Sequence, residues 1–322
     1  MTEMPETSAG RPSAPLGPGD WPVRWIHGSP PGPGPRDPPV QVHRYDAKTF
    51  ILRQSKDVSF EAPFLYLFFG HDRALLVDSG AIADPRRCPL RSTVDGLVRA
   101  WRSDHPRSEY PLVVAHTHGH GDHVAGDSQF ADRPNTRVVG RDASAVREYF
   151  GLSDGPAAVA TLDLGGRPIE VLAIPGHHPA SIALYDRSTG LLLTGDTVCP
   201  GRLYVADMPA FRSSMARLVG FVRTHPVSAV VGGHIEMTAR PGIDYPIGAR
   251  YQPHERILPM DPGRLDAILE GAHLAARGPG VYVFPDFHIY HGPCTGPALW
   301  SIARGKVGNL RYRIARGLHR VV

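Results

Sequence analysis

Short apolar runs, each of strand length and bounded by turn residues, recur through the middle of the chain. They are TFILRQS, PFLYLFFG, RALLVDSG, PLVVAHT, TRVVG, PIEVLAIPG, SIALYD, GLLLTGD, AVVGGH and VYVFPDF. Such runs predict strands. Residues 91–103, 209–224 and 262–276 instead repeat their apolar positions at the spacing of an α-helix. Strands with interspersed helices predict an α/β protein built from layered sheets and helices.

The two ends of the chain differ from this middle part. Residues 1–40 contain eleven prolines and six glycines, a composition that resists both helix and sheet. We expect a flexible N-terminal arm there. Its larger apolar residues are candidates to pin part of the arm to the domain: Trp21, Trp25 and Ile26. Residues 41–260 then form the main domain, and residues 261–322 form a C-terminal extension that packs on it.

Composition narrows the class of protein. Apolar residues make up 42% of the 322 residues, enough for a sizeable core, and the net charge is only +4. No apolar run reaches the length of a transmembrane helix, and no secretory signal is visible at the N-terminus. The three cysteines lie far apart, which fits a reducing cytoplasm better than a disulfide framework. We therefore expect a cytoplasmic protein.

Basic residues are concentrated near the C-terminus. They are Arg304, Lys306, Arg311, Arg313, Arg316 and Arg320. A nucleic-acid surface would need such charges on one face with interleaved aromatic residues. We interpret the segment as a solvated terminal strand or helix.

A cluster of ligand-type residues follows the strand PLVVAHT, where residues 116–123 read HTHGHGDH. In an extended segment, residues two apart point the same way, so His118 and His120 can aim two imidazoles at one ion. Asp122 and His123 can face a second ion from the start of the following helix. Packed together without a metal, these side chains would be desolvated or repel one another. The segment therefore predicts a metal site.

Three further ligand-type residues end later strands. His177 follows PIEVLAIPG, Asp196 ends GLLLTGD, and His234 ends AVVGGH. Alone, a strand-end aspartate is often a turn cap, and a single histidine is often plain polar surface. The repeated order of strand, glycine and ligand favours metal binding, because each ion needs about four ligands. A carboxylate at Asp196 could bridge two ions.

These motifs resemble those of the metallo-β-lactamase superfamily. HTHGHGDH, PGHH, TGD and GGH occur in that family's order and approximate spacing, and LLVDSG matches its early strand motif. The resemblance extends over residues 50–240. It implies a four-layered αβ/βα sandwich, in which two central sheets lie between helices and the metals bind at one edge.

Carried over position by position, the resemblance implies two divalent metal ions and seven ligands. The ligands are His118, His120 and His177 at one ion, Asp122, His123 and His234 at the other, and Asp196 between them. Asp78 and His116 would support these ligands by hydrogen bonding. Zinc suits the histidine-rich set, and the carboxylates also admit iron or manganese.

The details of the motifs indicate which subgroups of the family this chain resembles. β-Lactamases often carry cysteine where this chain has Asp196, and flavodiiron relatives carry glutamate where it has His120. Nucleases with a large inserted domain need it before His234, yet only 37 residues separate Asp196 from His234. The ligand set looks most like that of hydroxyacylglutathione hydrolases, quorum lactonases and related thioesterases.

This chain differs from these relatives at two places that would contact the substrate. Lactonases of this type tend to carry a tyrosine shortly after the bridging aspartate. This chain has Val198 and Cys199 there, and the nearest tyrosine is Tyr204. The C-terminal segment does not match the glutathione-contacting region of hydroxyacylglutathione hydrolases. The resemblance therefore leaves the substrate open.

The resemblance implies a hydrolase in which a metal-bridging hydroxide attacks the carbonyl of an ester, thioester or lactone. Asp122 would orient the water or carry its proton. The alternative is a mononuclear iron persulfide dioxygenase, which keeps the first-site ligands and tends to lose those of the second. A β-lactamase or a nuclease is a weaker alternative, and a binding module would be expected to have lost ligands. The complete ligand set favours the binuclear hydrolase.

Three more polar residues are candidates for substrate contacts: His178, Tyr204 and His291. We expect a small-molecule substrate, and neither a membrane nor a nucleic acid as partner. A homodimer is a candidate assembly.

Overall fold

The computed structural model describes residues 21–30, 34, 36–153, 155, 158–293 and 295–318. The strands in this part of the chain are β1 (Val40–Arg44), β2 (Thr49–Gln54), β3 (Phe64–Phe69), β4 (Ala74–Val77), β5 (Leu112–Ala115), β6 (Thr136–Val138), β7 (Val159–Asp163), β8 (Pro168–Ala173), β9 (Ile182–Asp186), β10 (Leu191–Gly195), β11 (Arg202–Val205), β12 (Ala229–Gly232), β13 (Pro259–Met260), β14 (Gly280–Val283) and β15 (His288–His291). The helices are α1 (Leu90–Asp104), α2 (Gly121–Val124), α3 (Ala143–Phe150), α4 (Met208–Thr224), α5 (Arg264–Ala275) and α6 (Thr295–Leu318).

The first sheet contains six strands in chain order, β1 to β6. Strands β1 to β4 are antiparallel neighbours, whereas β5 and β6 run parallel to β4. Phe64, Tyr66 and Phe68 of β3 face the second sheet. Leu65 and Leu67, which alternate with them, face α1. Both faces of β3 are covered, so the strand is an uninterrupted apolar run.

The second sheet has the strand order β13-β12-β10-β9-β8-β7. Its neighbours are antiparallel except for β10 and β12, which run parallel. Val171 of β8 points toward the first sheet. Leu172, the next residue, packs with Phe211 of α4 and Ile268 of α5. A small third sheet, β11-β15-β14, joins the same outer layer.

Three apolar clusters separate four layers of structure. One lies between the two large sheets, one between the first sheet and α1, and one between the second sheet and the helices α4 and α5. The predicted αβ/βα sandwich is therefore confirmed. Strands β4, β5, β10 and β12 bring their carboxyl ends to one edge of the sandwich, where loops of open α/β sheets carry ligand sites.

The N-terminal part of the described chain lacks regular secondary structure and contacts the domain through a buried tryptophan. Within the arm predicted for residues 1–40, residues 21–30 contain neither helix nor strand. Trp25 pins this part, as expected, because its ring is buried edge-on against Phe64 at a centroid distance of 4.9 Å. Residues 1–20, 31–33 and 35 lie outside the described residues. The division into arm, domain and extension stays a prediction.

At the other end, α5 shares the apolar cluster of α4 and the second sheet. Helix α6 packs through Ser301, Gly305 and Asn309 against residues 247–250. Across the described residues, none of the helices has the length and apolarity needed to span a membrane.

A charged cluster lies buried between the first sheet and the loop before β13. Arg53 donates two hydrogen bonds to the Glu255 carboxylate at 2.5 and 2.7 Å. Lys56 lies 3.9 Å from the same carboxylate, and its ammonium donates to the carbonyl of Phe60. Burial lowers the pKa of Lys56 to about 8. The burial of this charge therefore opposes folding at neutral pH.

Replacing Lys56 with methionine is expected to stabilise the protein by about 1–3 kcal/mol at pH 7, because the Arg53–Glu255 pair stays intact. Below pH 8 the wild type bears the full cost of the buried charge. As the pH rises from about 8 toward 10.5, the folded protein releases a proton that the unfolded chain retains, so the advantage of the variant shrinks. Urea unfolding at pH 7 and pH 10 measures this, with the exposed Lys48→Met as control. A destabilised Lys56→Met at pH 7 would contradict the expectation.

Candidate metal centre

Three histidines converge at the first of two ligand groups. His118 and His120 follow β5, and His177 follows β8. The Nε2 atom of His177 lies 3.3 Å from His118 Nε2 and 3.0 Å from His120 Nδ1. Two nitrogen ligands about 2.0–2.1 Å from a tetrahedral zinc ion would lie about 3.3 Å apart. The spacing of the three nitrogens therefore fits one shared ion.

Two histidines and two carboxylates form the second group. The Nε2 atoms of His123 and His234 are 3.2 Å apart. Oδ2 of Asp122 lies 3.2 Å from His234 Nε2 and 3.6 Å from His123 Nε2. Asp196 completes the group, whose four ligand atoms all lie within 4.8 Å of one another. This mixture of imidazole and carboxylate suits zinc, iron or manganese.

Asp196 lies between the two groups. Its Oδ1 atom is 3.3 Å from His123 Nε2 and 3.4 Å from His234 Nε2. Its Oδ2 atom is 3.9 Å from the Nε2 atoms of both His118 and His177. Oδ1 is buried and has no hydrogen-bond partner. A buried carboxylate oxygen without a donor is costly, and a metal ion at this position would satisfy it.

The outer nitrogens of the histidines are held by hydrogen bonds that select the ligand atom. The Nδ1–H of His177 donates to the carbonyl of Tyr204 at 2.8 Å, and that of His234 donates to the carbonyl of Glu61 at 2.9 Å. In both rings Nδ1 is therefore the donor, and Nε2 is the atom that faces the group and could bind a metal ion. His123 makes the equivalent contact to Oδ2 of Asp78 at 2.8 Å.

Asp78 orients two parts of the centre at once. Its Oδ1 atom accepts a hydrogen bond from the backbone N–H of Thr117 at 2.7 Å, and its Oδ2 atom accepts one from His123. Asp78 adopts a left-handed backbone conformation, with φ +66°, which is uncommon for a residue with a side chain. The buried carboxylate thus connects β4 to the histidine-rich segment.

Changing Asp78 to asparagine is expected to weaken metal binding by about 10–100-fold, because one of its two acceptors becomes an NH₂ group facing another donor. Competition with a chelator, followed by metal analysis, measures the affinity. The control is Asp142→Asn, which alters an exposed helix-capping carboxylate far from the ligands in the chain. Metal affinity equal to that of the wild type would show that Asp78 does not orient the ligands.

Charge at the centre favours a bound cation. Burial disfavours protonation of His234, but the carboxylates of Asp196 and Asp122 outweigh it and raise its pKa to about 9. In the first group, burial lowers the pKa of His118 well below its usual value, which keeps its imidazole neutral. The first group thus contains the neutral imidazole of His118, and the second draws positive charge toward its carboxylates.

The other residues that the sequence predicted for the site do not all lie beside the ligand groups. His178 stands beside His120, with ring centroids 4.9 Å apart, and its Nδ1 atom accepts from the N–H of Ala180. Tyr204 is 37% exposed, and its backbone carbonyl orients His177.

His116 turns away from the ligand groups, and its Nε2 atom contacts Asp127 at 2.8 Å. The support predicted for His116 is therefore indirect, through Asp127 and Ser79.

The structure shows His291 in contact with the end of α5, and its predicted role as a substrate contact stays a prediction. Its Nδ1 atom is within hydrogen-bond distance of the carbonyls of Ala275 and Gly278, at the end of α5. It pairs with Val205 in the register of β15 and β11, so alternation along β15 places it on the opposite face from Tyr290. Since Tyr290 packs on Tyr204, His291 faces away from Tyr204.

Residues that the sequence did not single out also shape the centre. Glu61 acts through its backbone carbonyl, which leaves no signal in a sequence, and burial raises the pKa of its carboxyl group to about 7. Arg202 is buried, pairs with Glu236 and Asp244, and donates from Nε to the Tyr204 hydroxyl at 3.1 Å. An arginine that begins the apolar segment RLYV was the signal that could have identified it.

Comparison with known proteins agrees with this geometry. The metallo-beta-lactamase superfamily profile matches residues 60–234. A hydroxyacylglutathione hydrolase of Anaeromyxobacter dehalogenans is 32% identical over 173 residues, which cover 51% of this chain and 60% of that protein. Its counterpart from Rhodobacter capsulatus is 30% identical over 182 residues, with coverages of 55% and 64%. The similarity thus spans less than two thirds of these relatives.

Among solved structures, a metallo-beta-lactamase from Erythrobacter litoralis superimposes with a TM-score of 0.50 at 15% identity, covering 74% of this chain and 98% of that one. At this identity the likeness concerns the fold alone. The profile match covers more than half of the chain and includes the ligands from His118 to His234. The chain therefore belongs to the metallo-beta-lactamase superfamily.

Proposed function

We propose that the protein is a binuclear metal-dependent hydrolase that cleaves an ester, thioester or lactone. The observation that carries the proposal is the position of Asp196, with one carboxylate oxygen toward each ligand group. Two bound divalent ions would supply Lewis acidity and an activated water at neutral pH.

The residues of the chain have separate tasks in such a reaction. His120 is exposed, whereas His118 and His123 are buried, so the centre is accessible from the side of His120. Asp122 is partly exposed. Its carboxylate could accept a proton from the attacking water and deliver it to the leaving group. The buried histidines hold the ligand geometry while this proton moves.

A thioester substrate is supported by the relatives named above, which are hydroxyacylglutathione hydrolases. Esters and lactones share the same carbonyl chemistry, since attack at the carbonyl carbon gives a tetrahedral intermediate in all three. The exposed ring of Tyr204, which packs on the buried Tyr290 with ring centroids 5.1 Å apart, offers an aromatic surface for the part of the substrate beyond the reacting carbonyl.

The test combines metal analysis with a substrate panel. The zinc-loaded and iron-loaded proteins are assayed with thioesters, lactones, simple esters, phosphodiesters and β-lactams, and bound metal is measured per chain. We expect two ions per chain and turnover of at least one carbonyl substrate. His118→Ala should reduce both metal content and turnover. His178→Ala, which alters the histidine adjacent to His177, should retain both ions.

Two outcomes would contradict the proposal. A single iron per chain with oxygen uptake on persulfides would identify a dioxygenase instead. Turnover confined to phosphodiesters or to β-lactams would place the reaction in another class of the family.

A further inference from the structure

Helix α6 has two faces of different character. One face, which includes Ser301, Gly305 and Asn309, packs on residues 247–250. The hydroxyl oxygen of Ser301 accepts a hydrogen bond from the backbone N–H of Ile247 at 2.9 Å. Gly305 allows the close approach, because a Cβ there would lie 2.0 Å from the Ile247 carbonyl oxygen. This face attaches the helix to the domain.

The opposite face of α6 is apolar and open to solvent. Leu299, Trp300, Val307 and Leu310 are each more than half exposed. At about 100° per residue, these four side chains fall on one side of the helix, opposite Ser301 and the other packing residues. The remaining tryptophans of the chain are buried or half-buried, whereas Trp300 is 64% exposed. An ordered apolar stripe of this kind indicates an interaction surface.

Charge around the stripe is of one sign. Helical geometry places Arg304 along one border of the stripe and Lys306 along the other, and both are exposed. The Arg304 guanidinium lies over the Trp300 ring at 4.6 Å from its centroid. From Thr295 to the end of the sequence there is no aspartate or glutamate. Residues 246–251, which include the loop beneath the helix, contain none either.

We propose that α6 docks the protein on an anionic lipid surface, with Trp300, Val307 and Leu310 inserted among the lipids and Arg304 and Lys306 contacting anionic headgroups. An apolar stripe flanked by long basic side chains is the pattern of helices that lie in the membrane interface. Tryptophan prefers this interface because its ring is apolar and its N–H is polar. This proposal does not rest on the reaction proposed for the metal centre.

Two other occupants fit the stripe less well. A second copy of the same helix would bring basic residues against basic residues, with no acidic partner in either segment. A nucleic acid would pair with the charges but would leave Leu299, Val307 and Leu310 without apolar contacts. The sequence alone suggested no membrane partner, because the stripe becomes recognisable only when one face of α6 is seen to be covered.

The test uses the full chain and vesicles of phosphatidylcholine with or without phosphatidylserine, and measures co-sedimentation. We expect binding to the mixed vesicles only. Trp300→Ser/Val307→Ser should weaken it more than about tenfold. Arg304→Gln/Lys306→Gln should weaken it roughly 25-fold, since each lost charge near an anionic surface counts about fivefold. All four substitutions lie on the exposed face, and circular dichroism verifies the fold.

Control variants place equivalent changes elsewhere on the surface. Val283→Ser removes an exposed apolar side chain of β14, and Arg99→Gln removes an exposed charge of α1. Both should bind vesicles like the wild type. The proposal is overturned by absence of binding to mixed vesicles, or by equal binding to both compositions. It is also overturned if single-stranded RNA binds and vesicles do not, or if Trp300→Ser dissociates a dimer that excludes vesicles.

Discussion

Replacing Asp196 with alanine is expected to reduce metal content below two ions per chain and to lower kcat/KM by at least about a thousandfold. The reason is geometric, since Oδ1 faces His123 and His234 while Oδ2 faces His118 and His177. Both ions would lose a ligand in one substitution. Metal analysis and steady-state kinetics on the substrate identified in the panel measure the two effects.

Asp196→Asn refines this experiment, because the amide keeps the shape of the side chain but not its charge. It should also fail to retain two ions. The control is Asp142→Ala, which removes a carboxylate that caps α3 and should leave metal content unchanged. Two ions per chain and unaltered kinetics in Asp196→Ala would remove the basis of the binuclear proposal.

The second large effect concerns stability, at the edge of the sandwich opposite the ligands. Arg167→Leu is expected to lower the free energy of unfolding by about 3–5 kcal/mol, because it leaves the buried Asp186 carboxylate without its cation. Arg167 donates to both oxygens of Asp186, at 3.1 and 2.6 Å. It also donates to the carbonyl of Lys48, which precedes β2, and to the carbonyl of Phe69 in β3. One side chain thus joins the two large sheets.

Urea unfolding measures this loss, and two further variants interpret it. Arg167→Leu/Asp186→Leu should lose less stability than the two single changes added together, because neither charge remains unpaired. Arg86→Leu breaks an exposed pair with Asp84 and should leave stability nearly unchanged, because solvent screens that pair. If Arg167→Leu were no more harmful than Arg86→Leu, the buried pair would not hold the sheets together.

Most of the strands that were recognisable from the sequence are covered on both faces. β3, β5, β9, β10 and β12 are buried along their whole length, so their sequences are continuous apolar runs. Strands β11 and β15 are among those that the sequence analysis missed. Each has four residues, and β15 is HIYH. They pair with each other in parallel across a long separation in sequence, which no local pattern reveals.

In the metal centre, too, some features were recognisable from the sequence and others were not. Four candidate ligands lie within six residues, and the other three each follow a strand and a glycine, so all seven candidates were recognisable from the sequence. The hydrogen bonds that orient them were not recognisable. The carbonyls of Tyr204 and Glu61 orient His177 and His234, and a backbone carbonyl carries no side-chain signature.

The sequence by itself determined the layered α/β fold and identified the candidate ligand residues, because apolar periodicity and close spacing of ligand-type residues are local properties of the chain. Only the tertiary structure decided that Asp196 lies between the groups, that His116 and His291 turn elsewhere, and that one face of α6 is left uncovered. Each of these depends on which distant segments pack together, and the direction of a side chain follows from that packing.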